Sequence, residues 1–188
     1  GFDSVGCALG VWDTCRATVT EQPGLVVTVT GEGAGAVPLD ATHLVHRAMQ
    51  VAWSELGVEP PAGLAPDCRN EVPHGRGMGS SATAILTGIV AAQGLHDLSR
   101  GLAGDDVDLG FANSLASRLE GHPDNASASV HGGATLSWTD DDGTGTTTVR
   151  PELKKSWPGL PGISPTGRNT ATIEKVVATT AKPIWSAA

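Results

Sequence analysis

The chain has 188 residues, 39% of them hydrophobic, and a formal net charge of −8, so it carries enough apolar side chain for a sizeable core. With 12 Lys and Arg against 20 Asp and Glu and no basic cluster, nucleic acid and anionic membrane surfaces are argued against, and a small molecule is the expected ligand. No apolar run approaches a bilayer span and no signal-peptide pattern opens the chain, which predicts a soluble cytoplasmic protein. Cys7, Cys15 and Cys68 form no CxxC pair and have no histidine at zinc-ligand spacing. Reduced, half-buried thiols are expected.

The first residues read as a glycine-bounded turn. From Val11 to Thr20 β-branched residues alternate around Trp12 and predict a strand; Gln22-Pro23-Gly24 turns into a second strand, LVVTVTG, ending at Gly31. The two are expected to form a hairpin. GEGAGAVP after it is loop. From Thr42 the period changes: Val45, Ala48, Met49, Ala52, Trp53 and Leu56 recur at three- and four-residue intervals, with Asp40 or Thr42 as cap and Gly57 as stop, which is an amphipathic helix. Its His43 and His46 have no third ligand nearby and are expected on the surface.

GLAPDCRNEV predicts a weaker strand that leads into PHGRGMGSSATA, from Pro73 to Ala84. Gly75, Gly77 and Gly79 permit positive φ and close approach of a ligand to the backbone, and the following helix offers unpaired N–H groups with partial positive charge. That suits an anion, phosphate above all. The same residues also suit a flexible turn before a core helix. This helix, about Ser80 to Gly94, is apolar on nearly all sides and should be buried; Gly88 within it signals a close backbone contact. Asp105, Asp106 and Asp108 crowd the start of a further helix, to about Leu119, as solvated caps.

Glu120-Gly121-His122-Pro123-Asp124-Asn125 packs two carboxylates, an imidazole and an amide into six positions. A capped helix start opened by Pro123 accounts for these residues too, and taken alone they favour it. Val130 to Trp138 alternates as a strand, and DDDGTGTTTVR is a polar hairpin turn with a threonine-rich strand. The three aspartates lack the alternate spacing and terminal Glu of a calcium loop. Asp3, at a glycine-flanked turn, means nothing alone.

The glycine loop is not of the Walker type, because residues 1–150 contain no lysine. Backbone N–H groups, the helix terminus and the Ser80 and Ser81 hydroxyls would have to hold a phosphate, with magnesium supplying cationic charge and Arg76 assisting. Phosphoryl transfer depends chiefly on positioning and electrostatics, so this is physically sufficient.

Taken together and in order, GFDSVGCALGVWD, PHGRGMGSSATA and EGHPDNASASVHGGA closely resemble the homoserine kinases of the GHMP kinase family, over residues 1 to about 150. The middle motif alone indicates the superfamily shared with mevalonate and galactose kinases; EGHPDN points to the homoserine branch. The resemblance implies an α+β fold, a GHMP kinase N-terminal domain similar to domain 2 of ribosomal protein S5, normally followed by a ferredoxin-like domain. It implies that Pro73, Gly75, Arg76, Gly77, Met78, Gly79, Ser80, Ser81 and Ala82 cradle the triphosphate of ATP, with Met78 in place of the usual leucine. Asp3, His122, Asp124 and Asn125 would line the pocket for L-homoserine, Asp3 facing the ammonium. No catalytic base emerges.

Three departures stand out. The segment that normally precedes GFD is absent. Near Asn113 and Ser114, where relatives place an acidic magnesium ligand, this chain has none, so Ser81 and Glu120 are the expected Mg2+ ligands. Nothing after residue 150 resembles the second domain. Residues 151–188 hold all four lysines together with Pro151, Pro158, Pro161, Pro165 and Pro183, and are expected to be an atypical tail, foreign or frameshifted, in which TATIEKVVATTAK has a helix-compatible pattern. The resemblance thus implies a homoserine kinase truncated at both ends, with weak or absent turnover. Another GHMP small-molecule kinase and a non-catalytic nucleotide-binding remnant are the alternatives. A lost second domain would expose part of the core, which makes a homodimer the assembly to look for.

Overall fold

The computed structural model describes residues 3–140, 143–149 and 176–180. In chain order the elements are β1 (Ser4–Cys7), β2 (Thr14–Val19), β3 (Gly24–Leu25), β4 (Thr28–Gly31), α1 (Leu44–Leu56), β5 (Gly63–Asn70), α2 (Ser80–Ser99), α3 (Leu109–Glu120), α4 (Asp124–His131), β6 (Ala134–Asp140), β7 (Gly143–Val149) and β8 (Val176–Thr180). They build two sheets. In one, β1, β6 and β7 lie side by side and antiparallel. In the other, β5 is central: β2 runs antiparallel along one side of it, and β3 and β4 run parallel along the other.

The predicted hairpin is therefore corrected. The strand after Gln22-Pro23-Gly24 does not fold back onto β2, because β5 inserts between them. Leu25 stands opposite Leu64 and Thr28 opposite Asp67, one continuous register, yet the ladder breaks at Val26 and Val27. Pro66 explains the break. The Val26 N–H donates to the Leu64 carbonyl at 3.0 Å, so the backbone groups of Leu64, and of Pro66 two residues on, face β3 and β4. Pro66 has no N–H to return to the ladder.

The opening turn is likewise corrected: Ser4–Cys7 is a strand whose Val5 pairs with Leu136. A segment of four residues presents too little alternation for a strand to be read from it. The strand expected from Val130 begins only at Ala134, because α4 continues to His131 before Gly132 and Gly133 turn the chain. Asp140 then pairs with Gly143, closing the expected polar hairpin; Asp141 and Asp142 lie outside the described residues. In the tail, Val176–Thr180 is a strand parallel to β2, not part of a helix, in keeping with its β-branched run. The domain boundary expected at residue 150, and the rest of the tail, lie outside the described residues.

The core forms around α2. Ile85, Leu86, Ile89, Val90, Ala91, Ala92 and Leu95 are all buried, as a helix apolar on every side requires. It extends to Ser99, past the expected Gly94, since a glycine at that position weakens a helix without ending it. Against it lies α1, with Val45, Ala48, Met49, Ala52 and Trp53 buried. A side chain at Gly88 would collide with the Val45 carbonyl and the Ala48 methyl, so the glycine lets the two helices meet backbone to backbone. The Trp53 indole N–H completes the joint by donating to the Ala92 carbonyl at 3.2 Å.

Candidate functional site

The site begins where β5 ends. Asn70 hands the chain to a loop in which Gly75, Gly77 and Gly79 all take positive φ, at 67, 72 and 75°. A side chain would strain each of these. Gly79 is also the N-cap residue of α2 and supplies no capping side chain. The first intrahelical bond runs from Thr83 N to Gly79 O at 2.9 Å, so the N–H groups of Ser80, Ser81 and Ala82 precede the helical ladder. Residues His74 to Met78 are exposed, Arg76 among them.

Asp13, just ahead of β2, holds this loop in place. Its Oδ1 accepts the backbone N–H of Glu71 at 2.7 Å and of Val72 at 2.8 Å. Burial pushes the carboxyl upward, while the Val72 and Glu71 N–H groups oppose the shift by stabilising the anion. Sequence reasoning did not single out Asp13, because its partners lie 58 and 59 residues away and are backbone groups.

The loop brings the two polar constellations together. Ser81 Oγ donates to Glu120 Oε2 at 3.2 Å. Glu120 is the last residue of α3, and Gly121 at φ 85° ends the helix and turns the chain away. Asp108 caps the other end of α3, accepting the Phe111 N–H at 2.9 Å, as expected of an acidic helix start. Asn113, by contrast, is buried and accepts a hydrogen bond from Ser127 Oγ at 3.0 Å between α3 and α4. Asn125 packs on Gly79: a methyl group there would lie 3.2 Å from Asn125 Cβ and Cγ.

His122 and Asp124 form a close pair, Nδ1 to Oδ1 at 2.6 Å, and the same carboxylate oxygen accepts the Asn125 N–H at 2.6 Å. A carboxylate can only accept, so Nδ1 carries the proton of this bond, and Nε2 has no hydrogen bond among the described residues. Both side chains are about half exposed. Asp3 is exposed ahead of β1 and is joined to this group by no hydrogen bond among the described residues. That strand reaches the group at Gly6, where an added methyl group would lie 3.0 Å from the Asp124 carbonyl.

Beside the loop lies a cavity of about 280 Å³, walled by β2 and β5, the start of α1, the first turns of α2 and the segment from Glu32 to Pro38. This last segment was read only as loop. Gly31, Gly33 and Gly35 have positive φ at alternate positions, the same signature as the glycine loop, and that was the signal available in the sequence. Glu32 joins the two loops: its N–H donates to the Asn70 carbonyl at 2.9 Å, its carbonyl accepts Asn70 Nδ2 at 3.2 Å and its carboxylate accepts the His74 N–H at 3.4 Å.

His43 lines this cavity and is only 5% exposed, which corrects its expected surface position. It, and not the expected Asp40 or Thr42, is the N-cap residue of α1, with extended backbone at φ −56° and ψ 131°, while the Asp40 carboxylate accepts from Thr42 ahead of the helix. The helical period that set the other faces therefore does not govern His43. Its Nδ1 is buried and has no hydrogen-bond partner among the described residues. Burial, and then the neighbouring His46, push its pKa down. His46 itself is held by the Ala41 carbonyl at 3.2 Å and Gln50 Nε2 at 3.1 Å. No group of three His, Cys, Asp or Glu able to hold a metal occurs among the described residues.

This geometry meets matching relatives. The family described as GHMP kinases N terminal domain matches residues 43–133. The homoserine kinase of Mycobacterium tuberculosis is 50% identical over 143 residues, 76% of this chain and 44% of that protein. The homoserine kinase of Leifsonia xyli subsp. xyli is 47% identical over 143 residues, 76% of this chain and 42% of that protein. Among solved structures, L. major mevalonate kinase in complex with R-mevalonate superposes with a TM-score of 0.51 at 18% identity, covering 77% of this chain and 45% of the other, which speaks for the fold alone. The chain thus spans less than half the length of these relatives. Its residues 43–133 match the GHMP kinases N terminal domain and, over its matched region, the chain is similar to the homoserine kinases.

Proposed function

We propose that this chain is the nucleotide-binding portion of a kinase that phosphorylates the side-chain hydroxyl of L-homoserine, giving O-phospho-L-homoserine in threonine biosynthesis. The observation that carries this reading is the meeting of Ser81 and Glu120, 3.2 Å apart at the mouth of a three-glycine loop. A hydroxyl and a carboxylate at a helix N-terminus suit a magnesium–phosphate group, because Mg2+ binds through one or two protein oxygens and completes its shell with phosphate and water. When bound, MgATP supplies the phosphoryl group and neutralises the charge of its transfer.

The residues present fit that group. The backbone N–H groups from Gly75 to Ala82 would hold the phosphates, with Pro73 and Met78 shaping the loop and Arg76 adding positive charge. The adjoining cavity is near the lower limit of small-molecule sites and adequate for a nucleobase. His43 lines that cavity, and its buried Nδ1 has no hydrogen-bond partner among the described residues. On the other side of the loop Asp124 fixes His122 so that Nε2 can accept a hydrogen bond from the amino acid; Asn125 borders the last glycine, and Asp3 would meet the ammonium. No group stands out as a strong base, so positioning and electrostatics would supply the rate.

Two measurements test the proposal. A fluorescent ATP analogue titrated onto the protein should bind with Mg2+ and weaken without it; binding indifferent to Mg2+, or none, overturns the kinase reading. A coupled ADP-release assay, on a version extended to the length of its relatives, should respond to homoserine and not to mevalonate or galactose. Turnover on either of the latter alone would sink the homoserine assignment. A non-catalytic nucleotide-binding role is the second reading, favoured by Asp3 making no hydrogen bond to His122 or Asp124 among the described residues; full homoserine turnover excludes it.

A further inference from the structure

Cys15 on β2 and Cys68 on β5, expected to be half-buried, are buried and stand directly opposite each other in the antiparallel ladder. Their sulfurs are 3.6 Å apart. The backbone groups of Leu64 and Pro66 face β3 and β4, as the Val26 to Leu64 bond shows, and Cys68, two residues further, shares that orientation. Its N–H and C=O therefore point away from β2, which makes Cys15 and Cys68 a non-hydrogen-bonded pair. In such pairs the Cα atoms approach to about 4.5 Å and the side chains come closest. A disulfide accepts Cα separations of roughly 4.4–6.8 Å, so the bond can form without parting the strands.

Both thiols are almost fully buried, at 3% and 2% exposure, but both line the cavity beside the glycine loop. A molecule as small as a peroxide can reach them through that cavity; a bulky disulfide cannot. Cys7, the third cysteine, is exposed and belongs to the other sheet.

We propose that Cys15 and Cys68 are a redox-modifiable dithiol, closed to a disulfide by hydrogen peroxide and reopened by a thiol reductant, in the wall of the cavity next to the glycine loop. The Cys68 sulfur attacks one peroxide oxygen and the O–O bond breaks. The thiol proton leaves with the displaced hydroxide as water, and Cys68 becomes a sulfenic acid. The Cys15 thiol keeps its proton through this step, held above its ordinary range by the hydrogen bond with Cys68 and by burial. Its sulfur then attacks the Cys68 sulfur, the S–O bond breaks, and the Cys15 proton leaves with hydroxide as a second water. Two thiols lose two electrons and one peroxide becomes two waters.

Closure draws the sulfurs from 3.6 Å to about 2.05 Å. The two cysteines share their core cluster with Val45, which faces the same cavity from α1. Moving them therefore reshapes the wall against which the nucleotide base would rest. This consequence depends on the proposed nucleotide reading; the bond itself does not.

The full chain carrying Cys7→Ser is treated with hydrogen peroxide, denatured, alkylated and weighed by mass spectrometry, before and after dithiothreitol. The expected result is the loss of two hydrogens with both thiols protected from alkylation, reversed by the reductant, and absent when Cys68→Ala or Cys15→Ala is added. Thiols that remain alkylatable, or that carry added oxygen in place of the bond, overturn the proposal. The affinity of the fluorescent ATP analogue should fall roughly tenfold on oxidation and recover on reduction; equal affinities in the two states refute the effect on the cavity. A reduced protein that binds no nucleotide, but still forms the disulfide, refutes the kinase reading and leaves the dithiol standing.

Discussion

The two sides of the glycine loop are built differently. On the cavity side, the loop is fixed by Asp13 from ahead of β2 and by Glu32 from the segment after β4, groups 38 to 59 residues away in the chain from the residues they bond between 70 and 74. These are buried or bonded to backbone, and none can move without disturbing a sheet or a helix. On the other side, His122, Asp124 and Asn125 are organised among themselves within four residues, at 2.6 Å contacts, on a half-exposed helix start. The difference teaches that the cavity side is preorganised by the tertiary fold, while the His122 corner carries its order locally. Glu120 to Ser81, and Asn125 on Gly79, tie the corner to the loop.

If this contrast is right, perturbing the cavity side costs stability and perturbing the corner costs only chemistry. The largest effect belongs to Asp13→Ala, which orphans two backbone N–H groups and should destabilise the protein by about 3 kcal/mol, lowering the calorimetric Tm by roughly 6–12 °C. A Tm within a degree of the parent protein breaks the comparison. Next, Glu120→Gln leaves the fold intact and weakens Mg2+-dependent binding of the ATP analogue roughly tenfold; binding without Mg2+ should not change.

A smaller effect is set by pH. The pKa of His43 is depressed in the folded state by burial and by His46, so the unfolded chain binds a proton more readily. Its contribution to stability is complete above its unfolded pKa of about 6.5 and is lost as pH falls from there through the lower folded value. Denaturant midpoints measured across that range should fall with acidity, and His43→Leu should flatten the slope; a slope unchanged by the substitution refutes the assignment. The smallest effect is that of His122→Ala, which removes only an exposed hydrogen bond with Asp124 and should leave stability within about 0.5 kcal/mol of the parent. A larger loss would show that the corner, too, depends on the fold.

Much of the site was legible because it is written locally. Three alternating glycines before a serine pair and an apolar run define a loop and a helix N-terminus through φ alone. Gly88 announced a helix crossing because no side chain fits there, and Asp108 announced a cap. The hairpin was misread because strand pairing depends on which segment reaches an edge first in space, and β5, 44 or more residues onward from β2, took the place beside it. His43 was misread because an N-cap side chain escapes the helical period, and Cys15 and Cys68 because nothing in a sequence reveals which residues face across a ladder.

By itself, then, the amino-acid sequence determined the loop, the helices, the Asp108 cap and the Gly57 stop, and the polar residues available to each, since these follow from backbone sterics and periodicity over a few residues. Only the tertiary structure decided that Glu120 would meet Ser81, that Asp13 would anchor the loop and that two distant thiols would share a cavity wall. Those contacts join segments far apart in the chain, and their geometry exists only once α2 is buried and the strands have chosen their neighbours.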